Sequence, residues 1–250
     1  MSFSLSAAGT RALVLDIEGT TTPVEFVYQV LFPFARAHVR EYLEGEWASE
    51  SCRAALVLLR DDHVADVAHD PAPPAWVDGP LAAQIAGVAA YVGWLMDRDR
   101  KSPGLKALQG QIWRSGYRSG ELRGQVFHDV APALERWRAQ QLDVCIYSSG
   151  SVLAQQLLFQ TTDAGDLTRF LTDYFDTGIG PKTSPASYRR IAEARAMPAA
   201  RLLFISDVTR ELDAARAAGL RTLLCVRPSN PPPVGEHGHP AIHTFDEIVD

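Results

Sequence analysis

The sequence predicts an α/β fold: a doubly wound parallel sheet with a helical insertion after its first strand. Several short apolar runs end in small polar or acidic residues, as the strands of a buried parallel sheet do. Helical patterns lie between most of these runs. Strands that alternate with helices in this way imply right-handed crossovers and a parallel sheet covered on both faces.

Four apolar runs are predicted as strands of this sheet, with helices between or after them. The predicted strands are Arg11–Leu15, Leu142–Tyr147, Arg201–Ile205 and Arg221–Val226. The last of them follows Gly219, a residue suited to the end of a helix. The predicted helices are Pro132–Gln140, Ser151–Phe159, Ser184–Ala196 and Glu211–Ala218.

More than a hundred residues separate the first predicted strand from the second, which is far too long for a single crossover. Apolar residues recur at helix spacing from Val27 to Leu43, and further helices are predicted at Leu81–Arg98 and Gly104–Trp113. Between the first two of these three helices, the segment Asp70–Pro80 is rich in proline and acidic residues, which predicts a loop. We therefore expect a catalytic α/β core of residues 1–20 and 126–250, and a helical cap of residues 21–125. The cap would cover the carboxyl edge of the sheet, where open α/β sheets bind ligands.

The composition is that of an ordinary globular protein, with 46% hydrophobic and 22% charged residues among 250. A formal net charge of −6 without basic runs argues against nucleic-acid binding. The first residues lack the pattern of a secretion signal, and no apolar run approaches the length of a membrane span. We expect a cytoplasmic protein without membrane partners, and a monomer because no long apolar stripe stands out.

Polar side chains follow the first two predicted strands, and their types suit phosphoryl transfer. Asp16 and Glu18 leave the first strand beside a glycine. One of these carboxylates can attack phosphorus, and the other can donate a proton to the leaving oxygen. Ser148 and Ser149 follow the second strand and open a helix, where hydroxyls and backbone N–H groups form an anion site.

A lysine and two further acidic residues extend this set. Lys182 offers a point charge for phosphate oxygens. Asp207 follows the third strand and Glu211 lies four residues later, a spacing that suits an oxygen-liganded Mg²⁺. Each of these residues alone has a commoner explanation, as a helix cap or a solvated surface group. Their order along the chain, Asp, Ser, Lys and Asp, is hard to produce by chance.

In this order the residues resemble the four motifs of the haloacid-dehalogenase superfamily. The resemblance covers Asp16 to Gly219 and implies a haloacid-dehalogenase-like core with the insertion as its cap. The implied roles are Asp16 as nucleophile, Glu18 as general acid and base, Ser148 and Lys182 as phosphate ligands, Asp207 as a Mg²⁺ ligand and Glu211 as an outer acid. One departure is informative, because the common phosphatase pattern D-x-D-G-T reads D-I-E-G-T here.

Glu18 and the cap sequence narrow the resemblance to the enolase-phosphatases of methionine salvage. The matching segments are D-I-E-G-T-T-T-P (Asp16–Pro23), K-A-L-Q-G-Q-I-W-R-S-G-Y-R-S-G-E-L (Lys106–Leu122), Y-S-S-G-S (Tyr147–Ser151) and S-D-V-x-x-E-L-D-A-A (Ser206–Ala215). The resemblance implies a small phosphorylated diketone, 2,3-diketo-5-methylthiopentyl-1-phosphate, as substrate. It would be enolised first, and the enol phosphate would then be hydrolysed to the acireductone.

The same resemblance implies Mg²⁺ as cofactor, bound by Asp16, Asp207 and the backbone carbonyl of Glu18. Glu18 must be protonated in the first half of the hydrolysis and ionised in the second, and burial under a cap would favour the neutral carboxyl. Glu18 is also our hypothesis for the base of the enolisation.

Residues of the cap are expected to determine the substrate specificity. Gln109, Trp113 and Tyr117 fall four residues apart, and Arg114 lies beside them. Gln109 and Trp113 are candidate substrate contacts together with Ser148, Ser149 and Lys182. The alternative places Trp113 in the core of the cap and leaves Arg114 solvated.

The histidines near the C terminus are expected at the surface, and Arg227–Pro240, which is rich in Pro, Gly and His, predicts a surface loop. Such a loop would hold a metal cluster of His237, His239 and His243 poorly. His128 is expected at the surface as well. Ala241–Val249 predicts a last strand and turn.

Three other functions compete with this interpretation. A related phosphatase for another small phosphorylated metabolite is opposed by the Gln-Gly-Gln-Ile-Trp stretch of the cap. A haloacid dehalogenase needs neither the acid at Glu18 nor Mg²⁺. A non-catalytic signalling module that accepts a phosphoryl group would be about half this length and would lack the insertion.

Overall fold

The computed structural model describes residues 2–69, 71–100, 102–230, 232 and 238–250. This part of the chain divides into two compact units. One unit comprises Met1–Val27 with Arg123–Asp250, and the other comprises Tyr28–Leu122. None of the helices formed by the described residues is both long and apolar enough to cross a membrane.

Apart from the helical insertion, strands and helices alternate through most of the chain. The strands are β1 (Phe3–Ser4), β2 (Ala12–Leu15), β3 (Asp143–Tyr147), β4 (Asp173–Phe175), β5 (Leu202–Ser206), β6 (Arg221–Cys225), β7 (Ala241–Ile242) and β8 (Ile248–Val249). The α-helices are α1 (Phe32–Glu46), α2 (Glu50–Asp66), α3 (Leu81–Asp97), α4 (Pro103–Ser119), α5 (Val130–Ala139), α6 (Val152–Gln160), α7 (Pro185–Ala194) and α8 (Thr209–Ala217). A π-helical segment, Phe26–Leu31, precedes α1.

The main sheet is parallel, and within the described residues its strand order is β4–β3–β2–β5–β6–β7. All four residues of the central strand β2 are 0% exposed. Successive side chains of a strand point to opposite faces, so both faces of the sheet are covered. On one face, Ala12 and Val14 pack with Ile191 of α7 and Leu212 of α8. The parallel sheet with its helical insertion confirms the predicted fold class.

Short strands account for most differences in the first unit. The sequence predicts no strand at β1 or β4, which are too short to show a periodic pattern. β1 pairs with β8 in a separate two-stranded sheet. The last strand and turn predicted at Ala241–Val249 are observed as two strands, β7 and β8, separated by a 3₁₀ turn at Phe245–Glu247.

In the second unit, helix α2 is an element that the sequence pattern does not predict. Its buried positions are Cys52, Ala55, Leu59, His63 and Asp66. The buried residues are spaced as in a helix, but two of the five are polar and one is small. The sequence therefore shows only a weak helical pattern of apolar residues in this segment.

Helix α4 is longer than predicted and ends at Ser119 rather than Trp113. Gly116 lies inside the helix. A glycine is needed at this position because a Cβ atom there would collide with the ring of Phe34. The C-cap residue that follows Ser119 is Gly120, and its left-handed φ of 81° stops the helix from continuing.

Most of the described residues from 227 to 240 form an exposed loop as predicted, but Arg227 and His239 are buried. Arg227 is only 3% exposed and forms an ion pair with Asp129, and His239 is 5% exposed. The chain returns to the sheet directly after His239, since the Leu224 N–H donates to the Pro240 carbonyl. His128 and His243 are exposed as predicted. Pro231 and residues 233–237, with His237, lie outside the described residues.

Gly104 provides a test of the packing of α4 on α2, because a Cβ atom there would collide with the backbone of Leu59. We expect Gly104→Ala to lower the free energy of unfolding by about 1–3 kcal/mol. Gly45 of α1 has open space around it, so Gly45→Ala is the matched control and should change stability by no more than about +1 kcal/mol. Urea denaturation followed by circular dichroism measures both variants. Equal stability of Gly104→Ala and the wild type would contradict the close contact.

Candidate active site

The site lies at the carboxyl edge of the three central strands. Asp16 directly follows β2, Ser148 follows β3, and Asp207 follows β5. β2 pairs in parallel with both β3 and β5, so these residues leave the sheet at the same edge. Asp16 and Ser148 are each 4% exposed. The sheet therefore brings together three of the residues selected from the sequence.

Lys182 lies between two carboxylates of this site. Its Nζ atom is 2.6 Å from Asp16 Oδ1 and 2.6 Å from Glu211 Oε2. Burial by itself would lower the pKa of Lys182, but the charges of Asp16 and Glu211 and the hydrogen bonds to them raise that pKa above its ordinary value. The lysine therefore stays charged and links the loop after β4 to β2 and α8.

Ser206, the last residue of β5, is a site residue that the sequence interpretation did not select. Its Oγ atom is 3.1 Å from Asp16 Oδ2 and 3.2 Å from Glu211 Oε2, and it accepts a hydrogen bond from the Val208 N–H. The Ile17 N–H donates to Asp16 Oδ1 at 2.7 Å. Both oxygens of the Asp16 carboxylate are thus held in place. The position of Ser206 beside Asp207 at a strand end was the signal available in the sequence.

The carboxylates of the site carry more negative charge than Lys182 compensates. Burial raises the pKa of Asp207 to about 7, and the nearby charge of Asp16 adds to this rise. Burial and the charge of Asp16 also raise the pKa of Glu211 to about 7, against the opposing effect of Lys182. Ionising all three carboxylates together is therefore unfavourable without a further positive charge.

The chemistry of these donors fits a divalent cation. Carboxylate oxygens are the hard ligands that Mg²⁺ prefers, and a divalent charge would offset the surplus of negative charge. In the part of the chain that the structure describes, no three His, Cys, Asp or Glu side chains form a ready group of metal ligands. The ammonium of Lys182 instead contacts the carboxylates of Asp16 and Glu211. The ligand roles of Asp16, Glu18, Asp207 and Glu211 stay predictions.

Glu18 lies half-buried in a tight turn directly after Asp16. The Ile17 carbonyl accepts hydrogen bonds from the N–H groups of residues 20, 21 and 22, and the Gly19 N–H donates to the Thr22 carbonyl. Gly19 has a φ of 68°, and a Cβ atom there would collide with the carboxylate of Asp207. A glycine is therefore required at this position both by the backbone conformation and by the close approach of the acid.

The two serines after β3 have different environments. Ser148 is buried, and its Oγ atom accepts a hydrogen bond from the Gly150 N–H at 3.2 Å. Ser149 is half-buried. The N-cap of α6 is Ser151, whose side chain accepts a hydrogen bond from the Ala154 N–H. Because Ser151 caps the helix, the capping explanation does not apply to Ser148 or Ser149.

Three hydroxyl groups hold the loop that carries Lys182. Tyr147 donates to the Gly180 carbonyl at 2.8 Å, Ser187 to the Pro181 carbonyl at 2.8 Å, and Tyr188 to the Lys182 carbonyl at 2.7 Å. Consecutive carbonyl groups from residue 180 to 182 are thus each anchored to the core. The three hydroxyl residues show no sequence pattern that would have linked them to Lys182.

The candidate residues of the second unit take part in its core. The indole N–H of Trp113 donates to the Leu31 carbonyl at 2.8 Å, and its ring stacks on Phe32. Gln109 and Tyr117 are also buried, and burial raises the pKa of Tyr117. These contacts match the alternative in which Trp113 belongs to the cap core. Substrate contacts of Gln109 and Trp113 stay a prediction.

Comparison with known proteins identifies the family. A family model described as haloacid dehalogenase-like hydrolase matches residues 10–219. The chain belongs to this family.

Relatives that match over nearly the whole length place it more narrowly among the enolase-phosphatases. The chain is 48% identical over 237 residues to an enolase-phosphatase E1 of Synechococcus elongatus, covering 94% of this chain and 96% of the relative. It is 45% identical over 238 residues to an enolase-phosphatase E1 of Klebsiella pneumoniae, covering 95% and 96%. The UTR4 protein of Saccharomyces cerevisiae, which has a crystal structure, is 32% identical in sequence. The match covers 95% of this chain and 99% of that one, and the two structures superpose with a TM-score of 0.76. The family resemblance predicted from the sequence is confirmed.

The hydroxyl of Tyr188 provides a test of how the lysine loop is held. We expect Tyr188→Phe to lower the free energy of unfolding by about 1–2 kcal/mol, because the partly buried carbonyl of Lys182 loses its donor. Tyr174→Phe is the matched control, since the buried hydroxyl of Tyr174 has no hydrogen-bond partner among the described residues. Chemical denaturation of both variants measures the difference. Equal losses in the two variants would contradict the anchoring role of Tyr188.

Proposed function

We propose that this enzyme is a bifunctional enolase-phosphatase of methionine salvage. It converts 2,3-diketo-5-methylthiopentyl-1-phosphate to the enol phosphate, and then to the acireductone 1,2-dihydroxy-3-keto-5-methylthiopentene and phosphate. The observation that carries the phosphoryl-transfer chemistry is the buried Asp16 carboxylate, held by Lys182 and Ser206 at the end of the central strand. The substrate is inferred from the enolase-phosphatase E1 relatives.

In the proposed mechanism, Asp16 attacks phosphorus in line and forms an aspartyl-phosphate. The hydrogen bonds from the Ile17 N–H and the Ser206 hydroxyl orient its carboxylate before the reaction. The charge of Lys182 stabilises the phosphoryl oxygens, and the hydroxyl of Ser148 donates a hydrogen bond to one of them. Ser149 is assigned to the same phosphate site.

Glu18 supplies the proton chemistry. As the neutral acid it protonates the leaving oxygen, and as the carboxylate it activates the water that hydrolyses the aspartyl-phosphate. Its place two residues after Asp16, in a turn closed by backbone hydrogen bonds, supports this assignment. In the preceding half-reaction Glu18 is our candidate for the base that removes a proton from carbon.

Mg²⁺ is proposed as the cofactor on the donor chemistry of the site. Asp16, Asp207 and the backbone carbonyl of Glu18 would bind it, with Glu211 as an outer acid. When bound, it would neutralise charge on the phosphoryl oxygens and polarise a substrate carbonyl.

The proposed function is tested with the diketo phosphate and Mg²⁺, by following enol absorbance and phosphate release together. We expect enol absorbance to rise before phosphate appears, and chelation to stop phosphate release. Asp16→Asn should lower phosphate release by a factor of about 1,000 or more, because the nucleophile is lost. Asp163→Asn, an exposed carboxylate of the same unit, is the matched control. Phosphate release without any enol would contradict the bifunctional activity and leave a phosphatase.

Glu18→Gln tests the acid and base. We expect both enol formation and phosphate release to fall by about 100- to 10,000-fold, because the amide can neither donate nor accept the proton. Glu135→Gln, at an exposed position on α5, is the control and should retain full activity. A Glu18→Gln enzyme that forms the enol at the wild-type rate would show that another residue is the base.

A further inference from the structure

The turn that carries Glu18 is held from outside by a loop that neither the sequence motifs nor the proposed mechanism includes. This loop follows β6 and runs from Arg227 to Asn230, closed by a hydrogen bond from the Asn230 N–H to the Arg227 carbonyl at 3.0 Å. It is called the β6 loop below. Both of its end residues contact the Glu18 turn through their side chains.

Asn230 contacts two parts of the site with one amide nitrogen. Its Nδ2 atom donates to the Gly19 carbonyl at 2.7 Å and lies 3.3 Å from Asp207 Oδ2. Both neighbours are acceptors, so the amide nitrogen rather than the oxygen must face them. One side chain thus joins the residue after Glu18 to the acid after β5.

Arg227 holds the next carbonyl of the same turn. Its Nε and Nη2 atoms donate to the Thr20 carbonyl at 3.1 Å and 2.9 Å. The third carbonyl, that of Thr21, accepts from the Phe127 N–H at 3.0 Å. All three carbonyl groups that follow Glu18 are therefore fixed by donors outside the turn.

The base of the β6 loop is rigid because the guanidinium of Arg227 is enclosed. Nη1 lies 2.7 Å from Asp129 Oδ2, and the carboxylate of Asp129 also accepts from the Phe245 N–H at 2.6 Å. The rings of Phe127 and Phe245 lie 4.3 Å and 4.9 Å from the guanidinium carbon. A buried ion pair with this many partners fixes the geometry of the groups attached to it.

From these contacts we propose that Asn230 is a positioning residue for Glu18, supported by Arg227 at the other end of the β6 loop. Asn230 holds the Gly19 carbonyl and so sets where the Glu18 side chain leaves the turn relative to Asp16 and Asp207. Proton transfer depends steeply on such placement, and a displacement of about 1 Å lowers rates by roughly 100-fold. This inference rests on the proposed function, in which Glu18 is the acid and base.

The test uses Asn230→Ala and Asn230→Asp in the full-length enzyme. Alanine removes the donor, and aspartate keeps the shape but places an acceptor against the Gly19 carbonyl and Asp207. We expect the turnover number for phosphate release to fall by about 10- to 100-fold in both variants, with KM changed by less than about 3-fold. Ser229→Ala, an exposed neighbour in the same loop, is the matched control and should match the wild type.

Two readouts separate positioning from a merely structural role. In a Glu18→Gln background, Asn230→Ala should have no further effect, because a residue that acts through Glu18 has nothing left to position. Hydrogen–deuterium exchange of the peptide spanning residues 16–23 should speed up in Asn230→Ala and remain unchanged in Ser229→Ala. A loss that multiplies with that of Glu18→Gln, or wild-type exchange in the Asn230 variants, would overturn the proposal. If the wild type released no phosphate, the proposed function would fail, and the exchange result would still decide how the turn is held.

Discussion

The ammonium of Lys182 lies 2.6 Å from both Asp16 and Glu211, and this buried contact joins three separate elements of the core. Asp16 comes from the central strand, Glu211 from the first turn of α8, and Lys182 from a loop between β4 and α7. Buried charges are tolerated only when each has close partners, because removing one partner leaves the others uncompensated. The three elements must therefore keep their relative positions for the site to exist.

This requirement explains the hydrogen bonds around the lysine loop. A lysine side chain has many rotamers, and fixing its head between two carboxylates is useful only if its backbone is fixed as well. The hydroxyls of Tyr147, Ser187 and Tyr188 meet this need by anchoring successive carbonyl groups of the loop. The same arrangement recurs on the other side of Asp16, where donors from Asn230, Arg227 and Phe127 anchor successive carbonyl groups of the Glu18 turn. Both loops are thus held by their backbones, which is consistent with the roles proposed above for the side chains of Lys182 and Glu18.

The residues that could be predicted from the sequence are those whose position follows from a strand end. Asp16, Ser148 and Asp207 each follow a buried apolar run, and parallel strands place such residues at one edge. Glu18 was selected because it lies two residues after Asp16, and Lys182 as a charge suited to phosphate, but the roles expected of both came from the family resemblance. Arg227 and Asn230 could not be found this way, since their partners in the Glu18 turn are about 200 residues away in the chain and their segment has the composition of a loop. Helix α2 was not predicted because polar His63 and Asp66 occupy buried positions. The end of α4 was predicted too early, since Gly116 allows close packing inside the helix and does not form a turn.

The charge balance at the site bears on the cofactor proposed for it. Asp16, Asp207 and Glu211 face the charge of Lys182, and the pKa values of Asp207 and Glu211 rise to about 7 because burial and the Asp16 carboxylate oppose their ionisation. A phosphoryl group would add further negative charge to the same volume. With a net charge of −6, the protein as a whole cannot compensate for it. This deficit of positive charge around Lys182 is the argument for the divalent cation proposed above, and it is a stronger argument than the presence of acidic residues by itself.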